Sequence, residues 1–207
     1  GIPASRLMFS ATHNHACTAV IDRPGFPRDE QYLDFMIGQV ATAAQEAVAN
    51  LAPAALGLGR AYAKRINFNR RFLNRDGSMV SQPTSMAGIL CTEGVVDPEV
   101  GVAAFRTPNG DLAGVIVNFA CHAVHHMSQL SGGYPGVLAR EISRLFGPQC
   151  VTVFLNGPCG NIIHANFEHR ELSADKERCG AVLATDVQQA VTAIADYDNT
   201  AELAAVT

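Results

Sequence analysis

The sequence predicts an α/β domain: a mixed β-sheet flanked by helices, with a metal site at the strand ends. Strand-like apolar runs alternate with stretches of helical period, the pattern of that architecture. Two of the strands flank an Asn-Gly turn, so at least one pair is antiparallel and the sheet is mixed. Six of the seven histidines fall in three bursts, each following an apolar run. Loops beyond strand ends are where ligands bind in open α/β sheets.

The elements follow in order. Arg6 to Ala11, RLMFSA, reads as a short buried strand that runs into Thr12-His13-Asn14-His15. Pro24, Gly25 and Pro27 make the next stretch a loop. From Asp29 to Leu51, Leu33, Met36, Ile37, Val40, Ala44, Ala47 and Val48 recur at helical spacing, and Pro53 closes that helix. Ala54 to Ala61 alternates weakly and reads as a strand. Residues 64–92 are polar and turn-rich, a long loop or a pair of hairpins. Val100 to Arg106 and Leu112 to Cys121 form a hairpin around Thr107-Pro108-Asn109-Gly110-Asp111. The second of these strands is almost wholly apolar and so central. Pro135 to Phe146 is a helix with proline in its first turn, and Gly147-Pro148 ends it. Val151 to Leu155 is another buried strand. Ser173 or Asp175 caps a last helix that runs to about Ala195.

Bulk composition narrows the function. The 207 residues are 48% hydrophobic and 16% charged, enough for a sizeable core and contrary to disorder. A net charge of −4 with no Lys/Arg-rich run argues against nucleic acid as a partner. No apolar stretch reaches the length of a membrane span, and no signal-peptide pattern opens the chain. None of the six cysteines sits in a CxxC pair, which disfavours a zinc knuckle. Cys121, Cys150 and Cys179 read as small hydrophobes, and cysteine usage favours a reducing, cytoplasmic setting over a secreted one.

Chemistry gathers in the three bursts. His13 and His15, two places apart on a strand, would share one face, and His122 follows another strand. Neutral imidazole is the commonest metal ligand, and zinc takes three or four such donors. His125 and His126 are adjacent and so face different ways; His164 and His169 read as ordinary polar residues. The turn Gly157-Pro158-Cys159-Gly160-Asn161 is either a backbone nest for an anion or a tight turn whose glycines permit positive φ. Cys159 offers an alternative, a thiol nucleophile with His122 or His13 as base. Arg70, in Asn69-Arg70-Arg71, is a candidate to reach a substrate carbonyl or carboxylate.

Four of these stretches together resemble a family. FSATHNHA, INFNRR, GVIVNFACHAVHHM with LSGGYPGVLAREI, and VTVFLNGPCGNIIH occur in the order seen in the neutral/alkaline (non-lysosomal) ceramidases. The resemblance implies that His13 and His122 are zinc ligands, that His15 assists catalysis beside the metal, and that Arg70 contacts substrate. The family's further glutamate and tyrosine ligands lie downstream of the matching segments. On this resemblance, residues 1–207 read as a single catalytic domain, incomplete at both ends. Flanking sequence, a homo-oligomer or a second chain would then complete the site.

The sequence departs from the family pattern at four places. Ala16-Cys17-Thr18 follows the first motif, Gly133 precedes Tyr134-Pro135-Gly136, Asn161 takes the place of an aspartate, and His164 that of a proline. The implied activity is a zinc-dependent hydrolase of an amide bond in a small-molecule or lipid substrate that need not be a ceramide. The rival readings are a non-catalytic metal- or ligand-binding module on the same fold, and the Cys159 hydrolase. Asn14, Asn118 and Asn161 are candidates to fix the second ring nitrogen of a ligating histidine.

Overall fold

A computed structural model describes residues 2–125 and 129–202. Along the chain come α1 (Glu30–Ala49), β1 (Ala55–Tyr62), β2 (Phe68–Asn69), β3 (Arg71–Asn74), β4 (Met79–Ser81), β5 (Ile89–Thr92), β6 (Glu99–Arg106), β7 (Leu112–Phe119), α2 (Gly133–Phe146), β8 (Val151–Asn156), β9 (Ile162–Ile163) and α3 (Lys176–Ala193). The main sheet has the order β1-β6-β7-β8. Its first two pairings are antiparallel and the last is parallel, so the sheet is mixed.

Local chemistry sets the boundaries. The β6–β7 hairpin closes through Thr107 N–H to Asp111 O, with Gly110 at φ 89°, a conformation that glycine tolerates. β7 is central, as its apolar run predicts, with β6 and β8 on its two sides. Asp175, rather than Ser173, caps α3 by accepting from Arg178 N–H, and Asp29 caps α1 through Tyr32 N–H. The polar stretch 64–92 becomes a small antiparallel sheet of order β4-β3-β5, preceded by β2, which pairs with β9.

One face of the main sheet makes the core. Val100, Val102, Val115, Val117 and Phe119 lie buried there against Leu138, Ile142, Leu183 and Val187 of α2 and α3. Burying one such side chain contributes about 1.5–3 kcal/mol. The helices come close because glycine lets them: a Cβ on Gly180 would stand 2.4 Å from Val137, and one on Gly59 2.7 Å from the Ala190 carbonyl. The opposite face carries the cross-strand row Leu58, Ala103, Ile116 and Val153, with Leu58 and Val153 exposed.

Two expectations are corrected. Arg6 to Ala11 is no buried strand. A short 3-10 turn at Ala4–Arg6 leads into unpaired, exposed chain, with Phe9 79% accessible. An apolar run becomes a strand where a neighbour takes its backbone hydrogen bonds, and among the described residues none does so here. Val151 to Leu155 is a strand but an edge strand, with Phe154 its buried residue. The helix at 30–49 forms as its periodicity predicts, yet none of its residues is buried.

Candidate metal centre

The parallel pairing of β7 and β8 sets Phe119 beside Asn156, so both strands end at the same edge. His122 follows β7 by three residues, and the turn 157–161 follows β8 directly. The N-terminal arm crosses this edge. It is held by His15 N–H to Ala123 O (3.2 Å), Ser131 N–H to Ala16 O (2.9 Å), and a hydrogen bond from the Asn14 side chain to Ser131 O. These links bring His13 and His15 to His122.

The three rings converge through one kind of atom. His13 Nε2 lies 3.0 Å from His122 Nε2 and 3.2 Å from His15 Nε2, and all three nitrogens lie within 4.8 Å of one another. His122 Nδ1 faces two carbonyls, Cys159 O at 2.5 Å and Ile162 O at 3.1 Å. Carbonyls only accept, so Nδ1 carries the hydrogen and Nε2 presents its lone pair to the cluster. His13 Nε2 can then give one hydrogen to His122, but it cannot also accept from His15. Neutral imidazoles in this arrangement leave one contact unsatisfied, whereas a cation at the centre would take lone pairs that the rings cannot all satisfy among themselves. His13 holds its position with φ 55°, a left-handed conformation rare outside glycine and of the kind that clusters at functional sites.

Burial lowers the pKa of His122, with Arg70 and His13 adding to it and the Cys159 carbonyl opposing. Burial also lowers His15, helped by His13 and His122. Both effects favour the neutral rings that metal binding requires. Arg70 is half-buried, and its Nε (3.1 Å) and Nη2 (2.6 Å) both donate to Gly160 O. Its backbone N–H donates to Asn161 O (2.8 Å). Among the described residues Nη1 has no hydrogen-bond partner.

Other expectations resolve differently. His122 is oriented by main-chain carbonyls and not by an asparagine: Asn118 donates to Leu155 O and Asn14 to Ser131 O. The turn at 157–161 directs carbonyls at the site, which is unlike an anion nest, and neither of its glycines has positive φ. Gly157 is there for space, since a Cβ would stand 3.1 Å from the Ala120 side chain. The Cys159 thiol accepts from Asn156 Nδ2 (3.4 Å), and no described imidazole bonds to it. Burial pushes the Cys159 pKa up, opposite to an activated nucleophile.

His125 and His164 stand apart from the three-histidine group. Their rings stack at 3.8 Å, and His164 Nδ1 donates to Ala174 O at 2.8 Å. His125 is 7% accessible, and neither of its ring nitrogens has a hydrogen-bond partner among the described residues. Burial pushes its pKa down to about 4. His169 is exposed beside Glu171, and His126 lies outside the described residues. A groove lined by Asn14, Cys17, Thr18, Tyr32, Leu130 and Ser131 opens beside the histidine arm. Sequence reading missed Asn156 as a member of the site. Its one sequence signal was its place at the end of the apolar run that leads into the third burst.

No family model matches the chain, and no curated protein sequence does. Solved structures do match. The neutral ceramidase from Pseudomonas aeruginosa superposes with a TM-score of 0.63 at 17% identity, over 82% of this chain and 28% of that one. A ceramidase complexed with C2 superposes with a TM-score of 0.70 at 18% identity, over 91% of this chain and 31% of that one. The chain therefore shares the fold of part of these proteins and spans less than a third of their length. No helix among the described residues is long and apolar enough to cross a membrane.

Proposed function

We propose that this chain carries the metal-binding part of a zinc-dependent amide hydrolase of the ceramidase kind. The observation that supports it most is the convergence of three imidazole Nε2 atoms, with His122 locked in the ligating tautomer. Neutral imidazole nitrogens suit zinc. His13 and His122 would hold the ion. When bound, zinc supplies a Lewis acid for the substrate carbonyl and acidifies water.

The chain's own residues do the rest. His15 is exposed beside the other two rings and would shuttle the proton between water and the leaving amine. Arg70 commits Nε and Nη2 to Gly160, which leaves Nη1 to anchor a substrate oxygen. The groove beside the arm offers Tyr32 and exposed Leu130 to the acyl part of a small-molecule or lipid amide.

The test is elemental analysis of the purified chain together with amine release from a panel of N-acyl amides. The reading expects stoichiometric zinc in the chain itself and, once flanking sequence or a second chain completes the site, hydrolysis that a chelator stops and zinc restores. Zinc without turnover on any amide would leave a binding module in its place. Turnover that survives chelation but not thiol alkylation would move the chemistry to Cys159.

A further inference from the structure

The three-histidine group is assembled from segments more than a hundred residues apart in sequence, and one side chain touches the backbone of each. Asn156 is the last residue of β8. Its Nδ2 donates to Thr12 O (3.3 Å), the carbonyl just before His13. The same Nδ2 donates to Cys159 Sγ (3.4 Å), and Cys159 supplies the nearer carbonyl on His122 Nδ1. Its Oδ1 accepts from Cys121 N–H (3.5 Å), the amide just before His122.

We propose that Asn156 is the positioning residue that joins the two halves of this site. The inference rests on the metal reading above and extends it to a residue that touches neither metal nor substrate. A primary amide has two N–H donors and an acceptor oxygen, and here both kinds are used on three different segments. Aspartate, its isostere, would set a carboxylate oxygen against the Thr12 carbonyl and lose both donor bonds. The Thr12 link matters most, because the next residue, His13, sits at φ 55° on an exposed arm. A strained backbone persists where its surroundings over-determine it. Without Asn156 the arm keeps its contacts at residues 14–16, but nothing described fixes the peptide that aims the His13 ring.

Loss of a residue that orients a ligand typically weakens metal binding 10–100-fold. The experiment is a competition titration of the full chain with Co²⁺ and Zn²⁺ against a chromophoric chelator. It is run for wild type, Asn156→Ala, His13→Ala and the double variant, and the Co²⁺ absorption spectrum is recorded at saturation. Thermal unfolding in excess chelator checks that each protein is folded. Asn156→Ala should bind about 10–100-fold more weakly than wild type, with a Co²⁺ spectrum shifted toward that of His13→Ala. The same change made on top of His13→Ala should cost little more, because the group it positions is already gone.

Equal affinity in wild type and Asn156→Ala overturns the inference. So does a loss of the same size in both backgrounds, which would mark Asn156 as a general structural residue. If Asn156→Ala does not fold, Asn156→Asp keeps the Oδ1 bond to Cys121 and is judged by the same coupling to His13. A wild-type chain that binds neither ion overturns the metal reading itself, which is a distinguishable result.

Discussion

Residues 2–50 and residues 55–193 are read from the same kind of pattern, yet they end in opposite states. α1 and α3 show it most plainly. Both begin on an aspartate that caps by accepting a backbone N–H, and both carry regular apolar spacing. α3 buries Cys179, Leu183, Val187, Ala190 and Val191 against the sheet and α2, whereas α1 buries nothing. The arm before α1 is likewise exposed through Leu7, Met8 and Phe9. Periodicity and capping decide whether a helix forms; the surface it meets decides whether it contributes to the core.

The candidate site straddles this divide. His122 stands on the packed side, with its backbone N–H on Ile162 O and its ring on two carbonyls. His13 and His15 stand on the exposed arm. Removing each ligand in turn should expose the asymmetry, and this is the largest effect expected. His122→Ala should retain no zinc through gel filtration, because the one pre-oriented ring is gone. His13→Ala should keep weak binding through His122, and His169→Ala should match wild type. Equal losses for His122 and His13 would show the arm to be fixed as firmly as the sheet.

Stability should divide along the same line. Leu183 is fully buried among Val, Ile and Leu neighbours. Leu183→Ala should cost about 2–5 kcal/mol by denaturant titration. Phe9→Ala removes a larger side chain but one that is 79% accessible, and should change stability by about 0.5 kcal/mol or less. A large loss at Phe9 would mean that the arm is packed in solution.

The same divide governed what could be read in advance. Where neighbours in sequence are neighbours in space, the reading held, as for the Asn-Gly hairpin and the α2 and α3 limits, and the unbroken apolar run of β7 marked it as central. It failed where the outcome depended on what another segment supplies, as for RLMFSA and the edge strand at 151–156. The histidines were legible because their residue type is scarce and clustered. Asn156 and the carbonyls of Cys159 and Ile162 were not, because backbone acceptors carry no residue signature and asparagine is common in turns.

The packed side holds a proton-sensitive group. His125 is buried against the His164 ring, with Asp175 and Lys176 also in electrostatic reach, and its pKa falls from 6.5 to about 4. A histidine depressed in the fold binds fewer protons native than unfolded between those two values. Its contribution is complete above about pH 6.5 and is lost as pH falls toward 4, at most about 3 kcal/mol. Unfolding free energy measured from pH 7 to 4 in chelator should therefore fall less steeply for His125→Gln than for wild type. Identical slopes would remove His125 from the acid sensitivity of the fold. The lowered His15 and His122 act in the same direction in both proteins and cancel in the comparison.

The smallest effect separates the two helices by their caps. Asp29 Oδ1 accepts from Tyr32 N–H at 3.0 Å, and Asp175 Oδ1 from Arg178 N–H at 2.8 Å. The chemistry is the same, and replacing such a cap by alanine costs a helix about 1 kcal/mol. What differs is where that cost is felt. α3 cannot fray at its start without disturbing Cys179 and Gly180, both buried, the latter against Val137 and Leu138 of α2. Asp175→Ala should therefore lower the global unfolding free energy by about 1 kcal/mol. α1 has no buried residue to transmit its fraying, so Asp29→Ala should leave the global transition where it is. It should instead speed hydrogen exchange at the start of α1, as expected of a locally opening unit. A global loss at Asp29 equal to that at Asp175 would show α1 coupled to the core, and the contrast between the two regions would fall with it.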